Sequence, residues 1–148
     1  MIGHTERKNL NRGYMKLDVW NDAINLFQLV NNILLKIDRL DFKLKAQILD
    51  AAQSISSNIA EGYCRRSINE YLQFLNISLG SSGELMTRII GLKSIKQINE
   101  ETFEEFDQLH YSVENKLLSL IKSLQLKRKQ GTWDQEIHEA KPKYANYP

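Results

Sequence analysis

A single cysteine, Cys64, stands in 148 residues, so no intrachain disulfide can form and no Cys-x-x-Cys pair exists for zinc or redox work. Proline occurs twice, at Pro142 and Pro148. A body without proline lets helices run long. Histidine is nearly as scarce, with His4, His110 and His138 alone. No run approaches the ~20 apolar residues of a bilayer span, and the opening MIGHTERKNLNRGYMK has no apolar stretch of the kind a secretory signal carries. A reducing, cytoplasmic setting with no membrane contact is expected.

The length suits one domain, and 42% hydrophobic with 26% charged residues describes a globular chain. The net charge of +2 is unevenly spread. Arg7, Lys8, Arg12 and Lys16 make residues 1–16 basic, while Lys127, Arg128, Lys129, Lys141 and Lys143 outweigh the acids of 125–148. Residues 17–124 hold eleven basic and fourteen acidic side chains. Basicity belongs to the ends of the chain.

Apolar residues recur at alternating spacings of three and four in four segments, which is the helical period. The first covers about 18–38, opened by Asp18 as N-cap, on the seam Trp20, Ala23, Phe27, Val30, Leu34 and Ile37. The second, 43–62, carries Leu44, Ile48, Ala51, Ile55 and Ile59, with Gly62 as its C-terminal stop. The third, 67–94, opens on the S-x-x-E capping box of Ser67 and Glu70. The fourth, 100–129, runs from an acidic first turn to a basic last one, the order the helix dipole favours. Short connections imply an all-α, antiparallel up-down four-helix bundle over 17–129. A basic extension at 1–16 precedes it, and a tail at 130–148, mobile or docked on a partner, follows.

Gly80-Ser81-Ser82-Gly83 reads as a loop by propensity, since each glycine costs about 1 kcal/mol inside a helix. The heptad phase from Tyr71 through Ser78 and Ser82 to Leu92 nevertheless crosses it without a slip. The four residues are therefore expected to form a helix-packing notch in a continuous helix. On helix two, Ser54, Asn58 and Glu61 share one stripe. With Glu70 and Glu84 they form a candidate structural network whose buried charge is paired, Arg65 and Arg66 lying near enough in the turn to contribute.

Catalytic chemistry finds no constellation. The histidines do not supply the Glu-x-x-His pairs of a di-iron bundle, and His110 sits on an apolar seam as a core or interface residue. Cys64 has Arg65 and Arg66 beside it, which could lower its pKa, but no histidine nearby in the chain. No catalytic residue, metal or cofactor is assigned. Up-down topology instead gathers Arg12, Lys16, Arg65, Arg66, Lys127, Arg128 and Lys129 at one end, a candidate nucleic-acid-binding set. Apolar residues beyond one stripe of helices one and four call for a partner, first of all another copy.

The pattern Ser54, Ile55, Asn58, Ile59, Ala60, Glu61, Gly62, Arg65, Ser67, Glu70, Tyr71, Phe74, Leu75, Ile77, Gly80, Ser81, Glu84 and Leu85 resembles the bacterial four-helix-bundle family encoded in intervening sequences of 23S ribosomal RNA genes. It is similar also to the accessory variability protein of diversity-generating retroelements. The resemblance covers most of 17–124 and implies bundles assembled into a homopentameric ring. In the retroelement relatives a basic ring serves RNA and reverse transcriptase. Leu49 and Asp50 stand where relatives carry basic residues. The expectation is a non-enzymatic RNA- or ribonucleoprotein-associated accessory factor partnered by RNA or a nucleic-acid-processing protein, the alternative being a protein-interaction scaffold.

Overall fold

A computed structural model describes residues 4–132, and every regular element among them is helical. A 3₁₀ helix, Leu10–Lys16, precedes α1 (Asp18–Leu35), α2 (Phe42–Cys64), α3 (Ile68–Ser94) and α4 (Glu100–Gln130). The tail expected at 130–148 lies outside the described residues except for its first three.

Side-chain caps account for three of the four long helices. Asp41 accepts from Leu44 N–H at 3.0 Å, Ser67 from Glu70 N–H at 3.4 Å and Asn99 from Thr102 N–H at 2.8 Å. Each bond satisfies a first-turn donor. For α1 the expected cap moves: Leu17 is the N-cap and Asp18 lies in the first turn, where its charge suits the dipole. The amide of Asn21 fastens that end instead, giving 2.9 Å bonds to the carbonyls of Met15 and Leu17.

Helix ends are less conventional. Gly131 at φ 67° closes α4, with Thr132 N–H reaching Lys127 O at 2.9 Å, the usual glycine solution. After α1, α2 and α3 the left-handed positions are Arg39, Arg66 and Lys96, with φ 60°, 59° and 62°. A non-glycine residue there costs roughly 1 kcal/mol.

Cross-helix pairs run in opposite senses. Between α2 and α3, Gly62 meets Tyr71 and Phe74, Ser54 Oγ lies 2.8 Å from Ser81 Oγ, and Arg88 reaches Gln47 at 3.1 Å. Between α3 and α4 the order is Asn69–Arg128, Ser82–His110, then Lys93–Glu100. Helix α1 packs on α2 and on α4, to which the Asp22–Lys116 pair joins it. Inside sit Ala23, Leu26 and Val30, Ile48, Ile55 and Ile59, Leu75, Leu85 and Ile89, Phe106, Val113 and Leu117, all at 0% exposure. Burying each large member contributes about 1.5–3 kcal/mol.

Two expectations about small residues change. Gly62 is not the stop of α2, which continues to Cys64. It is the close-approach point of α2 on α3: a Cβ there would lie 2.7 Å from Phe74 Cβ and 3.2 Å from the Tyr71 carbonyl oxygen. The GSSG stretch is helical throughout, but Gly80 and Gly83 face open space. Only its serines, with Ser78, meet neighbouring helices.

Candidate nucleic-acid interface

The 3₁₀ helix, the α2–α3 turn and the end of α4 meet at one end of the molecule. The turn is bound to the 3₁₀ helix by Cys64 Sγ donating to Asn11 O and Arg66 Nη2 donating to Asn11 Oδ1, both at 3.3 Å. A Cβ on Gly13 would fall 1.9 Å from the Tyr63 hydroxyl oxygen, so a larger residue there would displace the Tyr63 ring from this contact. Aromatic edges complete the joint. His4 and Trp20, Trp20 and Tyr14, Tyr14 and Tyr63, and Tyr63 and Tyr71 meet with centroids 5.0, 5.3, 6.1 and 5.9 Å apart. Residues 10–16, expected as part of a bare extension, are thus packed structure. Asn9 as cap, Gly13 and Tyr14 were the sequence signals for it.

The arginines here are engaged within the chain. Arg65 lies 3.0 Å from Glu61 Oε1 and 3.8 Å from Glu70 Oε1, and its guanidinium sits 5.1 Å above the Phe74 ring. Two carboxylates therefore more than cancel its charge, which removes it from the cationic set expected from sequence. Arg12 donates to Arg7 O at 2.9 Å and Arg128 to Asn69 Oδ1 at 3.1 Å. Neutral partners leave these two charges intact. Lys16, Lys127 and Lys129 are exposed and form no ion pair among the described residues. Lys8 and Lys122, which the sequence expectation did not include, share both properties.

The expected polar network divides in three. Asn58 Nδ2 donates to Ser54 O at 2.7 Å and Ser54 Oγ at 2.9 Å, and the latter pairs with Ser81 across the helices. Glu61 and Glu70 belong to Arg65, and Glu84 to Arg88 at 3.0 Å. The three carboxylates are 51%, 46% and 52% exposed, so the charge expected to be buried is not. Their stems are long enough to carry it to water, which avoids the desolvation penalty.

The inner side of the GSSG stretch receives His110. Its ring is fully buried, tilted 38° against Phe106. Nε2 lies 2.7 Å from Ser82 O; a carbonyl only accepts, so Nε2 carries the proton. Nδ1 stands 3.2 Å from Glu114 Oε1 but off the line of a hydrogen bond. Ser82 and Ser78 are small because an imidazole and the α2 backbone pass there: Ser78 Oγ donates to Ile55 O at 2.8 Å. Burial pushes the Cys64 thiol up, with Arg66 pulling weakly the other way. That opposes the activation that the two arginines suggested.

At the opposite end an open cleft of about 260 Å³ is lined by Leu29, Asn32, Ile33, Gln97, Asn99 and Thr102 among others. Among the described residues no three His, Cys, Asp or Glu side chains group as a metal site. No helix among them is long and apolar enough to cross a membrane.

A family model described as 23S rRNA-intervening sequence protein matches residues 15–119. Among solved structures, the chain is similar to a protein of unknown function from the S23 ribosomal protein family of Bacteroides thetaiotaomicron. The TM-score is 0.65 and identity 24%, over 70% of this chain and 95% of that one. That likeness is one of fold. A search of curated proteins returns no match.

Proposed function

The chain belongs to the 23S rRNA-intervening sequence protein family, and from that premise we propose that it is a non-enzymatic, cytoplasmic accessory factor associating with RNA or a ribonucleoprotein. In this reading its antiparallel four-helix bundles assemble into a pentameric ring. The observation that carries the RNA reading is the end where Arg12, Lys16, Lys127, Arg128 and Lys129 gather, none of them in an ion pair among the described residues. Repeated around a ring, such ends sum to a positive field that attracts phosphates.

Assembly is supported by large apolar side chains left in water. Phe42 is 84% exposed, Leu35 64%, Tyr111 63%, Ile95 57% and Leu126 54%. Covering such surface is a common reason for a chain to associate. Light scattering at micromolar concentration should give a multiple of the single-chain mass, and a clean monomer would sink the ring. The non-enzymatic reading is supported by two groups a catalyst could use being occupied: His110 is sealed in the core, and the Cys64 thiol is bonded to a backbone carbonyl.

The test is retention of RNA on immobilised protein as a function of salt. Retention should fall steeply with salt, and also when Lys127, Arg128 and Lys129 are replaced by glutamine. Recovery of a protein partner with no nucleic acid would favour the scaffold instead.

A further inference from the structure

Helix α4 divides by charge at its midpoint. Residues 100–114 carry Glu100, Glu101, Glu104, Glu105, Asp107 and Glu114 and no lysine or arginine. Residues 115–130 carry Lys116, Lys122, Lys127, Arg128 and Lys129 and no acid. The helix dipole accounts for such charge only within the first and last turns, yet Asp107, Glu114, Lys116 and Lys122 lie well inside. Within the chain, Glu100, Glu114 and Lys116 are engaged by Lys93, His110 and Asp22. Glu101, Glu104, Lys122 and Lys129 join no ion pair among the described residues.

An outward stripe runs across this divide. Glu104, Tyr111, Asn115, Leu118, Lys122 and Leu126 follow one another at steps of seven, four, three, four and four, which sets them along one side of the helix. All six are exposed, Leu118 to 50%. The stripe is apolar in its middle, acidic at one end and basic at the other, with Glu101 and Lys129 extending the two ends. A parallel copy would set like charges together; a reversed copy sets opposite ones together. Asn115 is the midpoint of Glu100–Gln130, so a two-fold axis there overlaps two whole helices over about 45 Å. A single polar residue at such a seam position fixes register.

We infer that the outer stripe of α4 docks a second copy of this chain, antiparallel about a two-fold axis at Asn115. Tyr111 of one copy packs on Leu118 of the other, and Glu101 and Glu104 face Lys129 and Lys122. The contact is isologous, so it differs from the head-to-tail contacts that close a ring. It goes beyond the assembly reading above by joining chains, or rings, in pairs. Leu35 and Phe42 belong to other elements and stay available for a ring. Lys129 belongs to both surfaces, whereas Arg12 and Lys16 lie outside α4 and Arg128 is turned to Asn69.

Sedimentation velocity on the full chain at micromolar concentration should give the mass of two chains or of two rings. Y111E/L118E should halve that mass, with pairing weakened about 100-fold or more, since each apolar contact buried contributes about tenfold. E101K/E104K and K122E/K129E should each halve it as well, because like charges then meet across the axis. The quadruple variant E101K/E104K/K122E/K129E reverses the polarity of the helix and should regain the wild-type mass. Only an antiparallel pair is rescued in this way. Circular dichroism checks that each variant folds.

A wild-type mass of a single ring overturns the inference and leaves the ring standing. An undiminished mass in Y111E/L118E, or a folded quadruple variant that stays at half mass, does the same. A clean monomer at every concentration overturns this inference and the ring together.

Discussion

Replacing Gly80 and Gly83 by alanine should stabilise the fold, and replacing Gly62 should not, although all three are helix-interior glycines in the same packed pair. At Gly80 and Gly83 a Cβ meets nothing within 4 Å. Each alanine should then recover the helix-propensity difference of about 1 kcal/mol, and the two positions, on an open face, should add to about 2 kcal/mol. At Gly62 the same propensity gain is opposed. The new Cβ would stand 2.7 Å from Phe74 Cβ, 3.1 Å from Tyr71 Cδ1 and 3.2 Å from Tyr71 O. Phe74 Cβ and Tyr71 O are fixed by the backbone and cannot swing aside, and the Tyr71 ring is itself buried. Overpacking of this kind costs about 1–3 kcal/mol, so α2 and α3 must separate and a net loss of about 1 kcal/mol is expected. Urea unfolding at one fixed protein concentration reads both. With m near 2 kcal/mol/M, the double variant should raise the midpoint by about 1 M at unchanged slope, and G62A should lower it. A fall in the double variant, or a rise in G62A, would refute the assignment of close contact to Gly62 and the serines.

Further outcomes follow from the core and its edges. His110→Ala should cost about 3 kcal/mol through the cavity it leaves, whereas His110→Leu should cost about 1 kcal/mol for the lost bond to Ser82 O; equal losses by chemical denaturation would show that packing does not dominate there. Burial raises the Tyr71 hydroxyl above its usual range, with Tyr63 and Cys64 adding to it, and the bond to Asp22 raises Lys116. A folded state that holds protons more tightly is fully stabilised below the unfolded values and loses stability as pH climbs past about 10. The urea midpoint should therefore fall from pH 9 to 11, less steeply in Tyr71→Phe; a flat profile would contradict this. The Cys64 thiol, raised by burial, should react with a disulfide reagent more slowly in the folded chain than in urea, and equal rates would place it in open solvent.

The heptad phase made the helices legible, including the passage of α3 through Gly80-Ser81-Ser82-Gly83. It also separated the seam positions Ser78 and Ser82 from the glycines beside them, so the inner and outer sides of that stretch were readable in principle. What the pattern did not carry was which small residue touches what. Gly62 looks like a stop because glycine commonly ends helices, yet here the reversal falls on Arg66, a residue type that gives no such signal. Phe27 was expected in the seam and is only partly buried, while Leu26 beside it is fully enclosed. A helix of period 3.6 with a wide apolar face leaves that choice to tertiary packing. The candidate site was legible as a cluster but not in its energetics. The Glu61–Arg65 pair is legible as an i, i+4 spacing, but the second carboxylate of Glu70 and the 3₁₀ helix docked through Gly13 and Tyr63 are not fixed by spacing, because both depend on contacts across the α2–α3 turn.

Whether the basic end carries RNA decides the function proposed for this chain. The direct measurement is to isolate the full chain from cells without nuclease treatment at about 50 mM salt and follow the bound material as salt is raised past about 200 mM. Copurified RNA released over that range, and absent from the K16Q/K127Q/K129Q variant, is the predicted result. A wild-type preparation that carries a protein partner and no nucleic acid at the lowest salt would contradict it.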